Sequence, residues 1–255
     1  MFKTVLFGFF FFALLTRINA IPVAISDQTD WDNYVATLSG NIIPAADIVT
    51  MTNAGNLDIS VSIVNNGTLN IIMTSVEIKD NITFTNNGTL IVTNSTIELE
   101  ENSTLINNGN ITFDDCTFDL EYDSSVFTNN SNTTSINDLS ATCWGTINNF
   151  GTLAMNHPND DIDLETSSVF NNCGTIIGDP GAIIQIDGLF NTISLVTTIT
   201  FTGGNPQTIN SSICIPVVPT LSQWGLIILS LLVVIGGVLG LKHFDSIPDL
   251  PNSLI

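Results

Sequence analysis

The residues best placed for chemistry in this sequence are carboxylates that recur at a fixed interval. Glu77, Glu98 and Asp119 are spaced by 21 residues, and Glu100 and Glu121 repeat that interval two positions further along. Asp163 and Glu165 take the equivalent places after a two-residue insertion near "HPNDD". If 21 residues make one lap of a coil, these side chains stand above one another ~5 Å apart, where like charges repel by several tenths of a kcal/mol even through water. Hard divalent cations favour oxygen ligands of this kind. Glu77, Glu98, Asp119, Glu100 and Glu121 are therefore candidate ligands for Ca2+, the one cofactor the sequence offers. The competing reading is a solvated acidic face that keeps the fold soluble and blocks edge pairing, and it gains weight because no Asp-rich calcium loop with its Gly is present.

Other chemistry is sparse. Asp114-Asp115 and Asp160-Asp161 have the residue type used for hydrolysis by paired carboxylates, yet neighbours on a strand point to opposite faces. His157 stands beside Pro158 and near Asp160 in a loop, where a lone His is usually solvated. No nucleophile elbow, phosphate-binding loop, zinc-protease helix or dinucleotide fingerprint occurs. The chain holds four Lys plus Arg against 24 Asp plus Glu, a formal net charge of −20. Lys3, Arg17 and Lys242 lie near the ends, so Lys79 is the one strong cation of the intervening chain. Binding to nucleic acid needs Lys and Arg to neutralise phosphate and is excluded. Docking to anionic lipid through a basic patch is disfavoured for the same reason. The four cysteines, Cys116, Cys143, Cys173 and Cys214, lack any CxxC pair and fall where an exported chain meets oxidising conditions, so all four are candidate disulfide partners. Cys173 with Cys214 would suit a staple on the last coil.

These side chains need a scaffold with a 21-residue lap, and the sequence repeats itself on that scale. Asn65-Asn66, Asn86-Asn87, Asn107-Asn108, Asn129-Asn130, Asn148-Asn149 and Asn171-Asn172 open successive units, as in "NNGTLNI" and "NNGTLIV". Periods near 20 with short alternating runs mark a solenoid. Within the unit at Asn65, Leu69 and Ile71, Val76 and Ile78, and Ile82 and Phe84 alternate with polar residues, which predicts three short strands per coil. One lap apart, like residues should stack: Leu69, Leu90 and Ile111; Ile71, Val92 and Phe113; Val76, Ile97 and Phe118; Ile78, Leu99 and Leu120; Phe84, Leu105 and Val126, extended back to Ile63. Leu153 and Met155 should rejoin the first two columns after one irregular unit, and Ile162 and Leu164 the next two. The fold class that follows is all-β, a single-stranded parallel β-helix whose coils share one core. Coils ~4.8 Å apart give a rod of roughly 34 Å for about seven laps. The Asn pairs sit at a corner, where an amide can bond the amides above and below it.

The ends carry different signals. "MFKTVLFGFFFFALLTRINA" has the basic start, apolar run and small final residue of a secretion signal, with the cut expected after Ala20. Residues 21–45 should cap the solenoid, with Thr29 or Asp30 starting a short helix and Trp31, Tyr34, Val35 and Leu38 covering the first coil. Residues 46–213 hold the repeats and 214–223 a linker. From Trp224 to Leu241 no charge interrupts an apolar run just long enough to cross a membrane. Lys242 and His243 then place the tail, 242–255, in the cytoplasm.

"VPTLSQWGLIIL" joins linker and span, and its Pro219, Thr220, Leu221, Trp224 and Gly225 resemble the IPTL-type C-terminal sorting signals of bacterial exported proteins. These are relatives of the signals handled by exosortases. Val218 stands where Ile is usual, the basic cluster is reduced to Lys242 and His243, and twelve further residues follow. The resemblance implies transit across the inner membrane, temporary retention by the tail, a sorting protease as partner, and delivery to the cell surface or extracellular matrix. Together these readings describe an exported structural or adhesin-like rod with a polysaccharide or another surface component as ligand, and no catalytic activity. The alternative is a carbohydrate-active β-helix enzyme, hydrolase or lyase. Lyases on this scaffold commonly need an Arg or Lys base, and after the leader is removed the exported part has no Arg and one Lys.

Overall fold

A computed structural model describes residues 21–131, 133–192, 200–204 and 207–208. All of them belong to the first of two compact units, which ends at Cys214. The sorting motif, the apolar run 224–241, the leader 1–20 and Cys214 lie outside the described residues.

Every strand pairing among the described residues is parallel, and the strands form two sheets, one of 12 and one of nine. In sequence order the nine-stranded sheet takes one strand from each successive lap, so the chain winds as a parallel β-solenoid. The larger sheet carries the first two strands of each lap. In several laps these run on as one long bent strand, as in Asp47–Ile59, Thr68–Ile78, Asn110–Leu120 and Thr134–Cys143. Elsewhere the bend breaks them, as between Thr89–Thr93 and Thr96–Leu99. Three strands per coil therefore occupy two sheets. At the bend stand Asn53, Met73, Asn94, Asp115 and Asp138, all left-handed with φ between 47° and 54°. Asn and Asp tolerate that region best, and all but one of the five are Asn or Asp.

The stacked columns form as expected. Leu69 lies on Leu90 and Leu90 on Ile111, and the irregular unit supplies buried Thr134 before Leu153 and Ile176 continue the column. Ile162 and Leu164 rejoin their columns through Ala141 and Cys143. One column is corrected: the neighbour of Leu105 is Phe127, not Val126. The lap there is 22 residues, so the residue 21 positions on points outward while Phe127 is buried. Phe113, Phe118 and Phe127 pack together at centroid distances of 5.3 and 5.2 Å. Since no lap buries its own inward face alone, burial is a property of the stack.

The Asn corner is a continuous amide ladder. The Nδ2 of each inward Asn donates to the Oδ1 of the next, from Asn65 through Asn86, Asn107, Asn129 and Asn149 to Asn172, over 2.8–3.0 Å. In the first four units the inward residue is the first of the pair, but at Asn148-Asn149 and Asn171-Asn172 it is the second. Glycine follows close behind for a steric reason. A Cβ at Gly88 would collide with the carbonyl oxygen of Gly67 in the lap before it.

At the N-terminal end a helix, Gln28–Thr37, covers the first coil and buries Trp31 against the core. Tyr34, Val35 and Leu38 pack partly buried beside it. Its N-cap is Asp27, whose carboxylate accepts the Asp30 N–H, rather than Thr29 or Asp30. Ile21–Ile25 is not part of the cover; it is a strand paired with Asp47–Ile59 and begins the solenoid.

Candidate functional site

The carboxylates gather on one outward face. Glu77, Glu98 and Asp119 are direct neighbours in the register, preceded by Asp58 and followed by Thr142, Asp163 and Gln185. Two residues on, Lys79, Glu100, Glu121, Trp144, Glu165 and Asp187 form a second column. Each donates its backbone N–H to a carbonyl of the preceding lap. Lys79 stands at one end and pairs with Glu77, with Glu100 at 2.7 Å and with Asp58 at 3.6 Å. Hydrogen bonds to Glu100 and then Glu77 hold its ammonium protonated well above the usual lysine range. Burial, followed by the repulsion of Glu121 and Glu77, raises the Glu98 carboxyl. Glu121 is raised by burial and then by Glu100. Asp119 is raised by burial against hydrogen bonds from Thr142 that pull the other way. Side chains on parallel strands stand side by side, so these carboxylates form a ladder rather than a cage. Among the described residues no three His, Cys, Asp or Glu side chains converge as a metal site.

A second feature runs along the stack. The bend leaves a groove of about 680 Å3, walled on one side by Met73, Asn94, Asp115 and Asp138 and on the other by Ser75, Thr96, Thr117 and Ser140. Its floor is Thr74, Ser95, Cys116 and Leu139. Ser95 Oγ donates to the Thr93 carbonyl at 2.7 Å, and Cys116 Sγ makes the same kind of contact with the Asp114 carbonyl at 3.1 Å. The groove thus offers amides, carboxylates and hydroxyls in ranks one lap apart. Sequence reading missed it. The available signal was a small residue followed by Ser or Thr at each lap, in "MTS", "NST" and "DCT", but only the bend turns those positions into a channel.

The remaining candidates resolve individually. Asp160 is buried: Oδ1 accepts the Leu139 N–H at 3.0 Å and Oδ2 the His157 N–H at 2.9 Å, so it closes a turn, while Asp161 faces the opposite way. Burial raises both carboxyls. Asp114 and Asp115 are exposed. His157 Nδ1 lies 3.8 Å from Asp138 at the groove's edge. Cys116 and Cys143 are corrected as disulfide candidates: both are buried free thiols. Cys116 takes the place of Ser95 on the groove floor, and Cys143 takes a leucine's place in the core, stacked between Leu120 and Leu164. Burial pushes the Cys143 thiol up to about 12. Cys173 is not a free thiol, and Cys214 lies outside the described residues.

Comparison with known proteins bears on the tail. Residues 218–243 match the IPTL-CTERM motif. The match contains Pro219, Thr220, Leu221, Trp224 and Gly225 and points to an exported, surface-sorted protein. No curated protein and no solved structure matches the chain. Among the described residues no helix is long and apolar enough to cross a membrane.

Proposed function

We propose that the solenoid is a rigid extracellular module that holds a surface polysaccharide along its bend groove, without catalysing a reaction. The observation that carries this reading is the groove itself. It crosses successive laps without interruption, and Ser75, Thr96, Thr117 and Ser140 offer an extended chain one hydroxyl from each lap. Repetition of this kind suits binding along a polymer, whereas catalysis uses a constellation that occurs once.

In this reading the leader is cut after Ala20, residues 224–241 span the inner membrane, and a sorting protease recognises Pro219, Thr220 and Leu221. A Cys173–Cys214 disulfide fastens the last coil. Fractionating cells that make the full chain tests the sorting step. The protein should reach the surface or matrix with the leader removed, and deletion of 218–243 should divert it to the medium. Mass mapping should find Cys214 oxidised. For the groove, the full chain should retain at least one member of a panel of surface polysaccharides, and Asn94→Ala with Thr96→Ala should weaken retention. Turnover of any polysaccharide that disappears on Asp115→Asn would instead favour a carbohydrate-active enzyme.

A further inference from the structure

One lap has no charged side chain in either column. In the first carboxylate column Thr142 stands between Asp119 and Asp163, and in the second Trp144 stands between Glu121 and Glu165. Repeat positions that agree from lap to lap serve the stack, so a single lap that replaces two carboxylates with a hydroxyl and an indole calls for another cause. Trp144, just past the end of the strand Thr134–Cys143, is 42% exposed, although its neighbours above and below are charged. Tyr122, one residue after Glu121, is 47% exposed. With Asp119, Glu121 and Thr142, these two rings line a pocket of about 360 Å3, within the ~300–1,000 Å3 range of small-molecule sites. The pocket shares no lining residue with the bend groove.

The walls specify the ligand's chemistry. An aromatic face attracts a cation through its quadrupole, most strongly when the ring is Trp. The carboxylates of Asp119 and Glu121 line the same pocket. Lys79, the cation that neutralises the first laps, reaches Glu77, Glu100 and Asp58 but neither Asp119 nor Glu121. An anionic ligand would be repelled by this face. A flat ring with a hydrated, hydroxyl-rich edge and an ammonium group satisfies every wall: apolar C–H faces on the indole and phenol, hydroxyls and the ammonium on the carboxylates.

We infer that the Trp144 pocket binds the free amino group of a de-acetylated amino-sugar unit in a glycan. The site is independent of the groove and stands or falls separately from it.

Titrating the full chain with a hexamer of glucosamine and with its fully N-acetylated counterpart tests the assignment. The amine-bearing hexamer should bind, and the acetylated one about tenfold more weakly or not at all. Trp144→Ala and, separately, Glu121→Gln should each lower affinity for the amine-bearing hexamer by about tenfold. Both side chains are exposed, so cooperative thermal unfolding and an unchanged β signal in these variants confirm that the fold is intact. Tyr122→Ala provides a second reading of the aromatic wall if Trp144→Ala fails to fold. Equal affinity for the two hexamers, or binding that survives loss of both rings, overturns the inference. Tighter binding of a lysine oligomer than of the glucosamine hexamer overturns the glycan assignment.

Discussion

At the scale of single residues, the structure gives sharply different roles to side chains of the same type. The inward Asn of each corner exchanges buried amide bonds with its neighbours, whereas the outward Asn of the pair forms a more exposed ladder with bonds of the same length, such as Asn87 to Asn66 at 3.0 Å. Asn86→Ala removes a bond given to Asn107, one accepted from Asn65 and one given to the Asn110 carbonyl. Buried polar groups stripped of partners cost about 1–3 kcal/mol each, so the variant should lose about 2–4 kcal/mol in urea unfolding, and Asn87→Ala far less. Cysteine divides in the same way. Cys116 and Cys143 were legible as half-cystines only from compartment and count, and neither property reports which way a side chain points. Buried, with thiols pushed above the ordinary range, both should resist a disulfide reagent at pH 8 until the chain unfolds. Prompt labelling of two thiols in the folded protein would contradict their place in the core.

At the scale of elements, the acidic face makes the solenoid's stability depend on pH. Glu98, Asp119 and Glu121 all titrate above their ordinary values of 4.5, 3.8 and 4.5, chiefly through burial. Asp160, Asp161 and Asp163 are shifted the same way. The folded protein therefore holds these protons more tightly than the unfolded chain. Their contribution is fully present below the ordinary carboxylate range and is lost as pH rises through the raised native values. The thermal midpoint should climb as pH falls from 7 toward about 4, and the double variant Glu98→Gln, Glu121→Gln should flatten that climb. A midpoint that falls over the same interval would mean that favourable pairing, not crowding, governs the ladder. The element carrying these residues was readable in advance because strand alternation has period two and the lap repeats: Glu77, Glu98 and Asp119 could be aligned by counting. The bend was only partly readable, since Asn53, Asn94, Asp115 and Asp138 are types that tolerate a left-handed backbone but Met73 is not.

At the scale of the whole solenoid, stability is distributed over laps, each contributing its own interfaces. Deleting 87–107, one full lap, joins Asn86 to Asn108 and restores the "NNG" corner with its columns in phase. That variant should fold, with the same β signal per residue in circular dichroism and a modestly lower midpoint. Deleting 87–106 leaves one residue extra at the Asn corner, which a neighbouring turn must absorb, as happens in the 22-residue lap to Phe127, if the later side chains are to keep their faces. It should unfold at a clearly lower midpoint than the full-lap deletion, and equal midpoints for the two variants would count against a register-locked core.

Sequence alone determined the lap, the inward columns and the acidic rank, because each follows from interval and alternation, which are properties of a one-dimensional string. It also located the IPTL-CTERM tail, a linear signal by nature. Only the tertiary structure decided which Asn of a pair turns inward at Asn148-Asn149, why Phe127 replaces Val126, and where the bend opens a groove. It also decided that Trp144 and Tyr122 share a pocket with Asp119 and Glu121. Each of these depends on laps of unequal length being drawn into one register. Closing the stack over a single dry core settles that choice, and no lap carries it by itself.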